Sequence, residues 1–239
     1  MATPQGLPKA ILFDLDDTIL AYESVADTVW AVVCNEFAAR LDGVQPSALL
    51  AAIDRHRAWF WSDPERHLRG RLDLEFARRE VVGGAFRRLG VEVPPVAEEI
   101  GLAYAKRRED AVEPFPGALE TLGTLKDRGV RLGLVTNGAA ESQRRKIDRF
   151  GLEPYFDYVL IEGEFGAGKP EERVYRHALE QLGARTDEAW MVGDNLEWEV
   201  AAPQRIGIFS IWMDGRRKGL PESTAVRPDR IINALPELL

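Results

Sequence analysis

The side chains able to do chemistry together fall in short, separated stretches. The apolar run Ala10-Ile11-Leu12-Phe13 ends in Asp14, with Asp16, Asp17 and Thr18 close behind. Thr136-Asn137-Gly138 ends a second apolar run, Lys169 precedes Pro170, and Gly193-Asp194-Asn195 ends a third run. Asp14 and Asp194 brought to one place would repel each other. A hard divalent cation such as Mg2+ is the most direct compensation, since it takes oxygen ligands and keeps waters that phosphate oxygens can displace. Without a cation, one carboxylate must have a raised pKa or be held apart. Each stretch alone also reads as a turn, because Asp, Asn, Gly and Thr favour turns. Their recurrence at successive strand ends is what points to a site.

The elements that would position these residues follow from periodicity. Short apolar runs near 9–13, 130–135, 158–161, 189–192 and 208–212 read as strands. Helical spacing separates the later ones, over about 117–128, 139–150, 171–182 and 196–205. Strands alternating with helices of this length predict an α/β fold, a Rossmann-like parallel sheet with helices on both faces. In such sheets ligands bind beyond the carboxyl ends of the strands, which is where Asp14, Thr136 and Asp194 stand.

Between the first strand and the second, the period changes. Val25, Val29, Val32 or Val33, Phe37 and Leu41 recur as on one helix, and further helices are expected over 46–60, 72–89 and 96–108. The turn-rich Glu113-Pro114-Phe115-Pro116-Gly117 ends this block. The domains expected are therefore 1–18 with 113–239 as an α/β catalytic core, and 19–112 as an inserted helical domain. The tail around 227–232 is expected to turn into a final docking helix.

Asp14-Leu15-Asp16-Asp17-Thr18, Thr136-Asn137-Gly138, Lys169-Pro170 and Gly193-Asp194-Asn195, in that order, resemble the four motifs of the haloacid dehalogenase-like hydrolase superfamily. The helical insertion is similar to that superfamily's helical cap. The resemblance spans the whole core and implies a set of roles. Asp14 would attack phosphorus and form an aspartyl phosphate, and Asp16 would act as acid and base. Mg2+ would be held by the side chains of Asp14 and Asp194 and the carbonyl of Asp16. Thr136 and the Asn137 N–H would bind phosphate oxygens, and Lys169 would neutralise Asp14 and the phosphoryl group. This division suits phosphoryl transfer, which asks mainly for alignment and charge compensation. True 2-haloacid dehalogenases lack an aspartate at the position of Asp16, since a halide needs no proton, so the resemblance favours a phosphatase. A sugar phosphomutase is the enzyme alternative, and Thr18 leans against it. A non-catalytic binding or regulatory protein of the same fold is disfavoured by the presence of Asp14, Asp16, Thr136, Lys169 and Asp194 together.

Other positions carry weaker expectations. Glu199 stands where the resemblance implies Asp, so a supporting role beside Lys169 or the metal's waters, shared with Asn195, competes with ordinary helix N-terminal charge. Glu162 and Glu164 read equally as a solvated acidic turn. Asp17 is expected to face water or cap a helix. In the insertion, His56, Arg57 and Trp59 could recognise a leaving group, or simply pack the helices. Gly163, Gly166 and Gly168 do not form a nucleotide fingerprint, and Lys169 is followed by Pro170 rather than the Ser or Thr of a P-loop.

Composition bounds the partners. A net charge of −8 with scattered cations argues against broad capture of nucleic acid or anionic membrane, while leaving room for a small phosphorylated metabolite. One cysteine, Cys34, excludes an intrachain disulfide or a cysteine-rich metal site. No apolar leader or membrane-length run is evident, so cytoplasmic residence is the default expectation, as a monomer or homodimer.

Overall fold

The run before Asp14 has the composition of a strand covered on both sides, and it forms one. Computed as a structural model, the protein is described over residues 6–239. Strand β1 (Ala10–Phe13) is fully buried along its length. Successive strand residues point to opposite faces, so this burial means that both faces of the sheet are covered. β2 (Arg131–Thr136), β3 (Tyr158–Ile161), β4 (Ala189–Gly193), β5 (Phe209–Met213) and β6 (Arg230–Ile232) complete a six-stranded parallel sheet, in the order β3-β2-β1-β4-β5-β6. Chain order reverses at the β1/β4 junction, where Phe13 lies opposite Val192. That junction is the switch point at which open α/β sheets bind ligands.

The chain divides into two compact units: the segment up to Ala21 with Glu113–Leu239, and Tyr22–Val112. The boundary falls three residues after the expected one, because Ile19 and Leu20 are fully buried and the Ile19 carbonyl accepts from the Phe115 N–H at 2.8 Å. The second unit is built from α1 (Ala26–Ala38), α2 (Pro46–Trp61), α3 (Pro64–Leu72), α4 (Leu74–Arg88) and α5 (Val96–Ala111). Val29, Val33 and Phe37 line its core while Val32 is 50% exposed, which settles the stripe on α1. Trp30 stacks on Tyr104 with ring centroids 3.7 Å apart. The α3 helix is additional to the sequence reading, and two aspartate caps delimit it from α4: Asp63 accepts from the Arg66 N–H and Asp73 from the Phe76 N–H.

In the sheet unit, α6 (Ala118–Asp127), α7 (Ala140–Arg149), α8 (Glu162–Phe165), α9 (Glu172–Gln181) and α10 (Ala202–Arg205) connect the strands. Val174, Tyr175, Ala178 and Leu179 of α9 pack on Ala10 and Leu12 of β1, Val135 of β2 and Met191 of β4. The helix expected over 196–205 is divided: Leu196–Ala201 winds as a wide π turn and α10 follows, with Pro203 unable to donate a helical bond. The docking helix expected after 227 is corrected to a strand. Arg230, Ile231 and Ile232 pair with Ile211, Trp212 and Met213, and only a short 3-10 turn, Leu235–Leu238, follows. Among the described residues, no helix is long and apolar enough to cross a membrane.

His56 of α2 is buried in the helical unit, where its Nδ1 accepts from the Arg88 Nε at 3.0 Å. Burial first, then the Arg88 and Arg87 charges, hold its pKa below the ordinary 6.5. The folded chain thus keeps a neutral ring that the unfolded chain protonates more readily. Its contribution to stability is complete above pH 6.5 and is lost as pH falls below that value through the depressed folded pKa. Thermal unfolding between about pH 7.5 and pH 5.5 should show a loss of stability that is smaller in His56→Gln. An equal loss in both proteins would contradict it.

Candidate active site

Three parallel strands deliver the motif residues to one rim. Asp14 follows β1, Thr136 ends β2, and Asp194 follows β4. The Asp14 N–H donates to the Val192 carbonyl at 3.0 Å, so the sheet's own ladder fixes the backbone of Asp14 beside the end of β4. Thr18 closes the turn after β1, its hydroxyl donating to Asp14 Oδ2 at 3.3 Å.

The most buried charge at this rim is Lys169, whose side chain is 0% exposed. Its Nζ donates to Asp14 Oδ1 at 2.6 Å and lies 2.8 Å from Glu199 Oε1. Burial alone would depress the lysine pKa, but the Asp14 and Glu199 charges outweigh it and hold the ammonium protonated. The same burial, against the pull of Lys169, raises the pKa of Glu199 to about 7, and Asp14 is also raised. The extra methylene of Glu199 is absorbed by its neighbours. A Cβ on Gly193 would stand 2.0 Å from Glu199 Cγ, so only glycine leaves room there. The second oxygen of Glu199 accepts from the Asn195 N–H at 2.7 Å, while the Asn195 side chain accepts from the Glu197 and Trp198 N–H groups and starts the π turn. Asn137 anchors Lys169 from the other side: Nδ2 donates to the Lys169 carbonyl at 2.7 Å, and Oδ1 accepts from the Lys169 N–H at 2.8 Å.

Asp16 lies on the loop leaving β1, and two residues of α7 hold it. Lys146 Nζ donates to its two oxygens at 2.7 and 2.5 Å, and Gln143 Nε2 donates to Oδ2 at 3.2 Å. The same Gln143 nitrogen donates to Thr136 Oγ1 at 2.5 Å. Asp17 does not face water as expected. Its side chain is 11% exposed, it takes a left-handed backbone with φ 59, and Arg216 lies 3.4 Å from it. Glu162 is no solvated turn residue either: it is buried and accepts from the Gly138 N–H at 2.9 Å, whereas Glu164 is taken up by Arg144 at 2.7 Å.

A family model described as haloacid dehalogenase-like hydrolase matches residues 8–207, which spans Asp14, Asp16, Thr136, Lys169, Asp194 and Glu199. The chain belongs to the haloacid dehalogenase-like hydrolases. It is 32% identical to a phosphoserine phosphatase of Thermus thermophilus, over 96% of this chain and 97% of that protein. It is 28% identical to a glyceraldehyde 3-phosphate phosphatase of Pyrococcus furiosus, over 97% of this chain and 91% of that one. Among solved structures, a hydrolase of the family from Bacillus subtilis, YfnB, determined with magnesium, superposes with a TM-score of 0.74 at 20% identity, over 98% of this chain and 97% of that one.

In this haloacid dehalogenase-like hydrolase, the oxygens that a hard cation could take are those of Asp14, Asp194 and the Asp16 carbonyl. The charges fit such an ion. Desolvation by the surrounding protein first, then the charges of Glu199 and Asp14, raise the Asp194 pKa well above its ordinary 3.8, although the residue is exposed at the rim. Asp14 and Glu199 share Lys169, and Asp194 feels the charges of both carboxylates, so full ionisation of the three leaves negative charge that a divalent ion would neutralise. Among the described residues no group of three or more His, Cys, Asp or Glu side chains is arranged to hold a metal, and this set would supply two carboxylates and a carbonyl instead.

The helical-unit candidates have other engagements. His56 packs against Gly84, where a Cβ would stand 2.0 Å from its Nε2. Arg57 pairs with Asp27 at 3.0 Å, Asp54 at 3.2 Å and Glu23 at 3.6 Å. Trp59 is partly exposed beneath the Arg66 guanidinium, 3.8 Å from the ring centroid. Lys146 and Gln143 escaped the sequence reading. Their spacing of three residues marks one helix face, but nothing local separates them from the other polar residues of α7.

The room left by Gly193 is testable. Gly193→Ala should push Glu199 away from Lys169 and lower stability by about 2 kcal/mol, the usual scale of overpacking, read from the denaturant midpoint. An unchanged midpoint would mean that Glu199 yields without cost.

Proposed function

We propose that this phosphatase hydrolyses small phosphate monoesters in two steps through Asp14, with Mg2+ bound beside it. The observation that carries the reading is the buried Lys169–Asp14 pair at 2.6 Å, on the same rim as Thr136, Asp16 and Asp194. A carboxylate held rigidly at a strand end, with a fixed cation against it, suits an in-line nucleophile whose developing charge needs compensation.

In the first step an Asp14 oxygen attacks phosphorus. The ester P–O bond breaks, its electron pair goes to the leaving oxygen, and that oxygen takes a proton from Asp16. In the second step Asp16, now a carboxylate, takes a proton from water as the water oxygen attacks phosphorus. The bond from phosphorus to Asp14 breaks, inorganic phosphate leaves, and both aspartates return to their starting states. The Thr136 hydroxyl and the Asn137 N–H hold the non-bridging oxygens, and Lys169 balances their charge. When bound by the side chains of Asp14 and Asp194 and the carbonyl of Asp16, Mg2+ would orient the phosphoryl group and offset its charge.

The relatives named above act on phosphoserine and glyceraldehyde 3-phosphate, both small monoesters. Together with the net charge of −8, they support a small phosphorylated metabolite of the cytoplasm as substrate, rather than nucleic acid or a membrane surface. Of the helical-unit candidates for selectivity, Trp59 keeps an exposed ring while Arg57 is committed to three carboxylates.

Inorganic phosphate released from a panel of monoesters, with and without Mg2+, tests the reading. Release should require Mg2+ and vanish in Asp14→Asn. Lys169→Met should lose at least about 100-fold in turnover, as when one transition-state donor is removed. It should also lose about 3 kcal/mol of stability, because two buried carboxylates lose their partner. No release from any ester, or full turnover in Asp14→Asn, would overturn the proposal. Transfer to a sugar without free phosphate would favour a mutase.

A further inference from the structure

Lys146 occupies an unusual place for a lysine in the last turn of a helix. There the ordinary part for a cation is to sit in solvent and complement the carbonyl end of the helix. Arg149 of the same turn keeps a side chain that is 34% exposed. Lys146 instead has a side chain that is 10% exposed, and it grips both oxygens of the Asp16 carboxylate. Gln143, one turn earlier on the same face, reaches Asp16, Thr136 Oγ1 and the Asn137 carbonyl. Two residues of α7 thus hold groups that come from the ends of two strands, β1 and β2.

The bonding pattern has a direction. Because Thr136 Oγ1 accepts from Gln143, the hydroxyl proton is left to donate to another acceptor. Because Lys146 binds both oxygens of Asp16, rotation of that carboxylate is restricted, and charge-assisted bonds of this length are the strong ones. The grip fits the Asp16 carboxylate, the form left once its proton has passed to the departing oxygen, so holding that carboxylate in place favours the proton transfer and sets the line along which it occurs.

We propose that Lys146, seconded by Gln143, is the positioning residue for Asp16, and that it acts on departure of the leaving group rather than on binding of the phosphoryl group. This rests on the phosphatase reading and deepens it. Lys146 bonds to the Asp16 oxygens that give and take the proton. Its effect passes through Asp16, and should therefore depend on how much the leaving oxygen needs a proton. The oxygen of a simple alcohol needs one, whereas 4-nitrophenolate leaves without one.

The test compares kcat/KM of the full-length wild type, Lys146→Met and Lys146→Arg. The substrates are 4-nitrophenyl phosphate and the best alkyl phosphate ester of the panel. The quantity kcat/KM reports the steps up to leaving-group departure, so slow breakdown of the intermediate does not mask the effect. Lys146→Met should lose at least about 100-fold on the alkyl ester and under about 10-fold on 4-nitrophenyl phosphate, with Lys146→Arg recovering part of the difference. Lys146→Gln replaces the methionine variant if the latter does not fold. A crystal structure of the variant should find the Asp16 carboxylate turned from its wild-type orientation. Equal losses on the two esters, or no loss on either, would overturn the inference. Absence of phosphate release by the wild type would instead overturn the phosphatase reading itself.

Discussion

A lysine with no exposure to water, caught between two carboxylates, is the constraint on which this structure turns. Lys169 touches Asp14 and Glu199 in a place where each charge alone would be costly. Desolvation would drive the lysine to lose its proton and the carboxylates to gain one, and their mutual attraction reverses the first tendency and tempers the second. Such a cluster survives only if its geometry is held from outside. The parallel ladder fixes Asp14, the Asn137 side chain fixes the main chain of Lys169, and the Asn195 N–H with the space at Gly193 fixes Glu199.

The same constraint explains how charge is distributed along the rim. Asp14 and Glu199 share Lys169, Asp16 has Lys146 and Asp17 has Arg216, while Asp194 stands exposed at the rim under the like charges of Glu199, Asp14 and Asp17. The site is therefore poised for added positive charge next to Asp14 and Asp194. A phosphoryl group at this rim would bring more negative charge still, which the fixed ammonium of Lys169 would offset in part.

Much of this was legible in the sequence, for physical reasons that differ from residue to residue. Asp14, Thr136 and Asp194 could be read because short apolar strands announce themselves and their carboxyl ends share one rim. Lys169 needed the resemblance, since a lysine before a proline has no local signature of burial. The partner of Asp16 was not legible: Lys146 is 130 residues away in sequence, and only the packing of α7 brings the two together. Glu199 was legible as a question, and its answer lay in Gly193, a neighbour through space that periodicity does not pair with it. The C-terminal strand was misread because Arg230–Ile232 is short and owes its form to pairing with β5, a tertiary effect that overrides local pattern. The helix expected over 72–89 hid the α3–α4 break, where Asp73 both ends one helix and caps the next.

The claim that most needs a direct measurement is that the phosphoryl group passes through Asp14 rather than straight to water. The stereochemical course at phosphorus distinguishes the two without requiring an intermediate to accumulate. With a monoester made chiral at phosphorus by oxygen isotopes, and isotopically labelled water as acceptor, each in-line displacement inverts the configuration. Two successive displacements through Asp14 predict net retention. Net inversion would mean a single attack by water and would contradict the account.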